Sequence, residues 1–138
     1  MIIDAHTHVF PPALIAHRDE LLREDPAFRE VYPEEDAALA SADDVLRLVE
    51  GTVLDAAVIC NFAWSDVERI RETNDYVLDA ARASGGRLIP FCMVQPAAGE
   101  EHVRDEMGRV ARAGARGIGE IGTTGVAAAV ANAIFNAT

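Results

Sequence analysis

Hydrophobic positions along this chain follow two alternating rhythms. Four short, nearly continuous apolar runs stand out: Ile2–Val9, Leu54–Asn61, Leu88–Gln95 and Arg116–Ile121. Their length and lack of polar interruption suit strands covered on both faces. Stretches with apolar residues at helical spacing lie between and after the runs. Ser65 with Glu68 has the form of a capping box, and Val67, Ile70, Val77, Leu78 and Ala81 then share one helical face up to Gly85-Gly86. Ser41 opens a weaker copy with Val45, Leu46, Leu48 and Val49, stopped at Gly51. Glu100–Ala113 carries Val103, Met107, Val110 and Ala111 inward and ends at Gly114. Val126, Val130, Ala133 and Ile134 predict a last, Ala-rich helix that Thr123 or Thr124 caps. Strand and helix alternating at this interval predict parallel βαβ units and an α/β fold. The rhythm fails between residues 10 and 40, where Pro11, Pro12, Pro26 and Pro33 sit among many carboxylates. That segment is expected to be an irregular excursion with one short helix near Ala13–Arg23. It either carries or covers a site, or is an ordinary solvated loop.

The first run, IIDAHTHVFPP, carries the candidate chemistry. Side chains alternate along a strand, so Ile2, Asp4, His6 and His8 are expected on one face and Ile3, Ala5, Thr7 and Val9 on the other. Two imidazoles spaced i, i+2 lie roughly 7 Å apart at Cα, close enough for both rings to lean to one cation at about 2.0–2.1 Å per nitrogen. The carboxyl ends of parallel strands are where α/β sites form. Asp4, deeper on the same face, is a candidate to orient a ring. The bland alternative is a pair of polar residues that hydrogen-bond nearby loops. Asn61, Trp64 and Gln95, at or just past strand ends, either line the mouth or pack the loops. His17 and His102 lie in helical stretches and are expected to face solvent.

IIDAHTHVFPP resembles the opening strand of the metal-dependent amidohydrolase superfamily, especially the branch related to aminocarboxymuconate-semialdehyde decarboxylase. LIPFCMVQP and AGARGIGEIG are similar to later strands of that branch, so the resemblance spans about residues 1–122. It implies a distorted (β/α)8 barrel with one or two divalent metals at its carboxyl mouth. It makes His6 and His8 metal ligands and Glu120 a metal-bridging carboxylate or base. Glu120 would point inward on the strand face it shares with Ile118. The implied metal is zinc, with manganese as the alternative. A full barrel of this kind takes about 250 residues. This chain of 138 residues offers four strands, hence a partial (half) TIM-type barrel. The family's later histidines and aspartate have no counterpart, which leaves at most three direct ligands. The end of the chain, GIGEIGTTGVAAAVANAIFNAT, resembles the carboxyl-terminal region of molybdenum hydroxylases of the xanthine dehydrogenase type. The whole reads as one domain: an amidohydrolase-like front half over 1–122 joined to a C-terminal helix of different apparent origin over 123–138, as in a chimeric or truncated chain.

Charge narrows the choice of partner. Twelve basic against 23 acidic residues give a formal charge of -11, which repels phosphate backbones and anionic lipid. No run approaches the ~20 apolar residues of a membrane span. Cys60 and Cys92, both inside apolar runs, form no disulfide framework and suit a reducing cytoplasm. The expected function is therefore a metal-dependent hydrolase or decarboxylase, incomplete in this chain, acting on a small carboxylate or amide. One alternative is a non-enzymatic α/β domain with an idle histidine pair. A metal-dependent nuclease is the weaker alternative, since no basic stripe is present. Half a barrel also leaves two open sheet edges and a bared inner face. These predict association, including a homo-oligomer that completes the cylinder.

Overall fold

The computed structural model describes residues 1–33 and 37–119. Four parallel strands, β1 (Ile3–His8), β2 (Ala56–Cys60), β3 (Leu88–Cys92) and β4 (Gly117–Ile118), form one sheet in sequence order. Helix α4 (Ala42–Gly51) precedes β2, α5 (Val67–Ala83) joins β2 to β3, and α6 (Glu100–Ala113) joins β3 to β4. The strand rhythm predicts these parallel βα units, and the architecture is the partial TIM-type barrel that the resemblance implies.

The two faces of the sheet bury different residues. Val9, Ala57, Ile59 and Leu88 pack against Ala42, Val45, Val49 and Val77 of α4 and α5. Cys92, Val94 and Ile118 pack against Leu78 and Val110 of α5 and α6. On the opposite side Cys60 and Met93 join Phe10, Phe62 and Trp64 in an aromatic cluster. That second side is concave. A methyl group placed on Gly119 would lie 3.1 Å from Cys60 Cβ and 3.0 Å from Met93 Sδ. Gly119 follows β4 and its N–H bonds Cys92 O, with β3 between it and β2. In a flat sheet, strands two places apart stand about 9.6 Å from each other. Such an approach between β2 and the end of β4 requires the sheet to curl as a barrel wall does.

The helix starts differ from expectation in one instructive case. Ser41 opens α4 as expected, and it does so in a reciprocal box with Asp44. Ser65 does not cap α5. Asp66 does, accepting from the N–H groups of Glu68 and Arg69. The Ser65 N–H instead donates to the buried carboxylate of Asp25 at 2.9 Å. Gly51 closes α4 as its last residue rather than standing beyond it. Gly114, at φ 106°, ends α6 in the left-handed conformation that glycine adopts without strain.

The excursion after β1 is more ordered than its prolines suggest. In place of one short helix its described residues form three: α1 (Pro12–Ala16), α2 (Arg18–Glu24) and α3 (Pro26–Val31). Pro12 and Pro26 occupy first helical turns, where a missing N–H costs nothing and a fixed φ helps. Leu21 and Phe28 from these helices pack into the aromatic cluster with Phe62, Trp64 and Met93. Phe28 stacks on Trp64 with centroids 5.4 Å apart. The concave side is therefore partly filled by the chain's own excursion rather than wholly bared.

Under the carboxyl end of β3 lies a buried polar knot. Asn74 of α5 donates to Met93 O at 2.9 Å and to Glu106 Oε1 at 2.9 Å, and accepts from Met93 N at 2.8 Å. Arg109 closes the knot through two bonds of 2.7 Å to Glu106 and a further ion pair to Asp75. Burial alone would raise the Glu106 carboxyl, but Arg109 and Asn74 together hold it below the ordinary range.

Candidate metal centre

Strand β1 carries a one-residue irregularity that decides what its side chains face. Ile3 and Asp4 pair with Ala56 and Ala57, whereas Thr7 and His8 pair with Ile59 and Cys60. Three steps along β1 thus match two along β2, the signature of a bulge between Asp4 and Thr7. Ala57 faces the helices and Cys60 the concave side. The register therefore sets Asp4 beside a helix-facing residue and His8 beside a concave-facing one. The expectation of one continuous face from Ile2 to His8 is corrected here, because the extra residue breaks strict alternation. Asp4 does not reach an imidazole. Its Oδ1 accepts from the His6 backbone N–H at 3.2 Å.

The two imidazoles do come together. His6 Nε2 and His8 Nε2 are 3.0 Å apart, and the rings meet edge to face at 4.9 Å between centroids. The other nitrogen of His8, Nδ1, lies 3.1 Å from Asn61 O. A carbonyl oxygen only accepts, so Nδ1 carries the hydrogen and Nε2 of neutral His8 presents its lone pair. A hydrogen on His6 Nε2 then satisfies the pair when no cation is held between them. Tetrahedral coordination at the usual metal–nitrogen distance of about 2.05 Å puts two nitrogens about 3.3 Å apart. The observed spacing is within a few tenths of an ångström of that, so the pair fits a small divalent cation with little rearrangement.

A third donor joins them. Cys60 Sγ belongs with the two histidines to a group whose ligand atoms all lie within 4.8 Å of one another. The thiol leans toward β1, where it donates to Thr7 O at 3.7 Å. Pairing between His8 and Cys60 places both at the same level of the sheet. The available signal was Cys60's position at the end of the second strand-like run. Cys92 stands apart, on the helix side, where burial first and then the Glu106 carboxylate push its thiol up to about 12.

The remaining candidates separate clearly. Asn61 is fully buried, and its Nδ2 donates to Thr73 Oγ1 at 2.6 Å, so its side chain ties β2 to α5. Trp64 is enclosed in the aromatic cluster. Gln95 donates to Trp64 O at 2.8 Å and accepts from Ala97 N. These three pack loops rather than line an open mouth. His17 is exposed and bonds Ala13 O, while His102 is half-buried on α6. Glu120 lies outside the described residues, as does the tail 123–138. Ile118 itself packs with Leu78, Cys92 and Val110 on the helix side. Gly117 faces the concave side instead, where a methyl group would come within 2.7 Å of the Phe91 ring.

No family model matches the sequence, and no curated protein matches it. Solved structures do. The chain is similar to 5-carboxyvanillate decarboxylase from Novosphingobium aromaticivorans, solved with manganese and 4-hydroxy-3-methoxy-5-nitrobenzoic acid. The TM-score is 0.66 and the identity 19%, over 86% of this chain and 40% of that one. A D314N mutant of the same enzyme, also with manganese, gives 0.65 at 19% identity over 86% and 41%. A 2,6-dihydroxybenzoate decarboxylase bound to 2,6-dihydroxybenzoate gives 0.59 at 16% identity over 85% and 38%. The chain thus spans about two fifths of the length of these enzymes. At such identities the likeness is one of fold, and residues 117–138 gain no link to molybdenum hydroxylases from it. Among the described residues no helix is long and apolar enough to cross a membrane. The fold on which this histidine pair sits is thus similar to part of the fold of these decarboxylases.

Proposed function

We propose that this chain is the opening part of an amidohydrolase-type barrel and that His6 and His8 hold a divalent cation at its carboxyl mouth. The observation that carries the reading is the 3.0 Å approach of two Nε2 atoms, one of them fixed as a lone-pair donor by the Asn61 carbonyl. In a whole protein the reaction would be decarboxylation or hydrolysis of a small carboxylate-bearing substrate. The bound carboxylates in the structural neighbours support the decarboxylase side of that choice. The cation, when bound, polarises a substrate carboxylate or lowers the pKa of a water. The chain's own part is to present two nitrogens on a rigid strand, held at one end by a backbone carbonyl. Glu120 is proposed as a further ligand or base, on resemblance alone.

The span of two fifths of the neighbours' length favours a second reading. In it the domain keeps the pair but lacks the remaining ligands, and does no chemistry by itself. Calorimetric titration with zinc and with manganese separates the readings. One-to-one binding that vanishes in the His6→Ala, His8→Ala double variant supports the metal centre. Heats that the double variant leaves unchanged would refute it.

A further inference from the structure

We propose that Cys60 is a third ligand, which makes this a His2Cys centre selective for zinc-like cations. The proposal rests on the metal reading above and goes beyond it, since neither the resemblance nor the named neighbours assign a thiolate to the site.

Three observations carry it. The sulfur and one ring nitrogen of each histidine already lie within 4.8 Å of one another. In a tetrahedral site with metal–nitrogen near 2.05 Å and metal–sulfur near 2.3 Å, nitrogen and sulfur stand about 3.6 Å apart. That bound exceeds the coordination spacing by about 1.2 Å, a gap that turning the cysteine and histidine side chains about their Cα–Cβ bonds can close. Second, register makes the approach a property of the sheet rather than of loose side chains: His8 and Cys60 are paired residues on neighbouring strands. Third, the concave side is kept open beside the thiol by Gly119, where a methyl group would press on Cys60 Cβ at 3.1 Å. On binding, the thiol proton leaves to solvent or buffer and the sulfur gives its electron pair to the cation, with no redox change. Thiolates favour zinc and cobalt over manganese, which prefers oxygen donors. A shared barrel wall would then hold a different ion from the manganese of the decarboxylases it resembles.

Cobalt(II) reports each part of this separately. Added to the full chain, it should give visible ligand-field bands from a tetrahedral site and a near-ultraviolet sulfur-to-cobalt charge-transfer band. Cys60→Ala should abolish the charge-transfer band while visible bands remain. Cys92→Ala, on the helix side, should leave both intact. Zinc affinity should fall at least tenfold in Cys60→Ala, and manganese affinity by less than about threefold. Visible bands without charge transfer in the unaltered chain would overturn the thiolate ligand and leave the histidine centre standing. A charge-transfer band that survives Cys60→Ala, or equal losses for zinc and manganese, would overturn it too. Absence of any cobalt spectrum would overturn both. Circular dichroism and the Cys60→Ser variant guard against misfolding, and the charge-transfer test on the unaltered chain needs no variant.

Discussion

Asn74 offers the sharpest test of how the barrel wall is held. It is fully buried, and its amide behaves like a peptide group laid beside the end of β3: it accepts from Met93 N and donates to Met93 O. Its second donated bond goes to Glu106, which is itself buried. Asn74→Ala strips both backbone groups of Met93 of this partner and leaves Glu106 with Arg109. Each buried polar group left unpaired costs about 1–3 kcal/mol, so the expected loss is about 3–5 kcal/mol, a large part of the 5–15 kcal/mol typical of a domain. At a urea dependence of about 2 kcal/mol per molar, the midpoint should fall by about 2 M. Asn74→Asp separates polarity from volume. It has nearly the same size and keeps the acceptor, but it loses the donor to Met93 O and sets an anion against Glu106. At neutral pH it should cost at least as much as alanine. Equilibrium urea unfolding followed by far-ultraviolet circular dichroism makes the measurement, with exposed Glu101→Ala as a control expected within about 0.5 kcal/mol. An Asn74→Ala loss below about 1 kcal/mol would show that water or backbone shifts replace the amide, and the argument from burial would fail.

Other consequences follow from the same geometry. The Glu106 carboxyl is held below its ordinary value in the folded protein, so its stabilisation is complete above the unfolded-state pKa. It is lost as pH falls through the lower folded-state value. Glu106→Gln should cost about 1.5–3 kcal/mol at neutral pH and flatten the acid limb of a stability–pH curve measured by urea midpoints. An unchanged slope would assign that limb to other groups. Gly117→Ala forces a methyl against Phe91 at 2.7 Å and should cost about 1–3 kcal/mol, read as a lower Tm. Combining it with Phe91→Leu should recover part of the loss, and no recovery would place the strain elsewhere.

Much of the architecture is legible in the sequence because it depends on local chemistry. Strands covered on both faces leave apolar runs, and Ser41 marks the start of α4. His6 and His8 were visible as a pair because any nearly extended segment puts i and i+2 on one side. What the sequence hides is set by contacts between distant residues. Ser65 and Asp66 are equally good caps in isolation; the buried Asp25, forty residues away, claims the Ser65 N–H and leaves Asp66 to cap. The three helices of the excursion exist because Phe28 and Leu21 find the aromatic cluster, not because their own pattern is strong. Ile118 points to the helices because only glycine, at 117 and 119, fits the crowded concave side. Cys60 entered the candidate centre through strand register, which no single segment records.

The extra residue in β1 works as a phase shift in the pleat. Upstream of it the strand presents one set of side chains to the interior, and downstream the complementary set. Removing Ala5 would bring the whole strand into step with its neighbour and turn either its root or its rim the wrong way around. The chain thus separates two requirements that a regular ribbon would tie together: what anchors the strand at its base and what it offers at its tip can be altered independently.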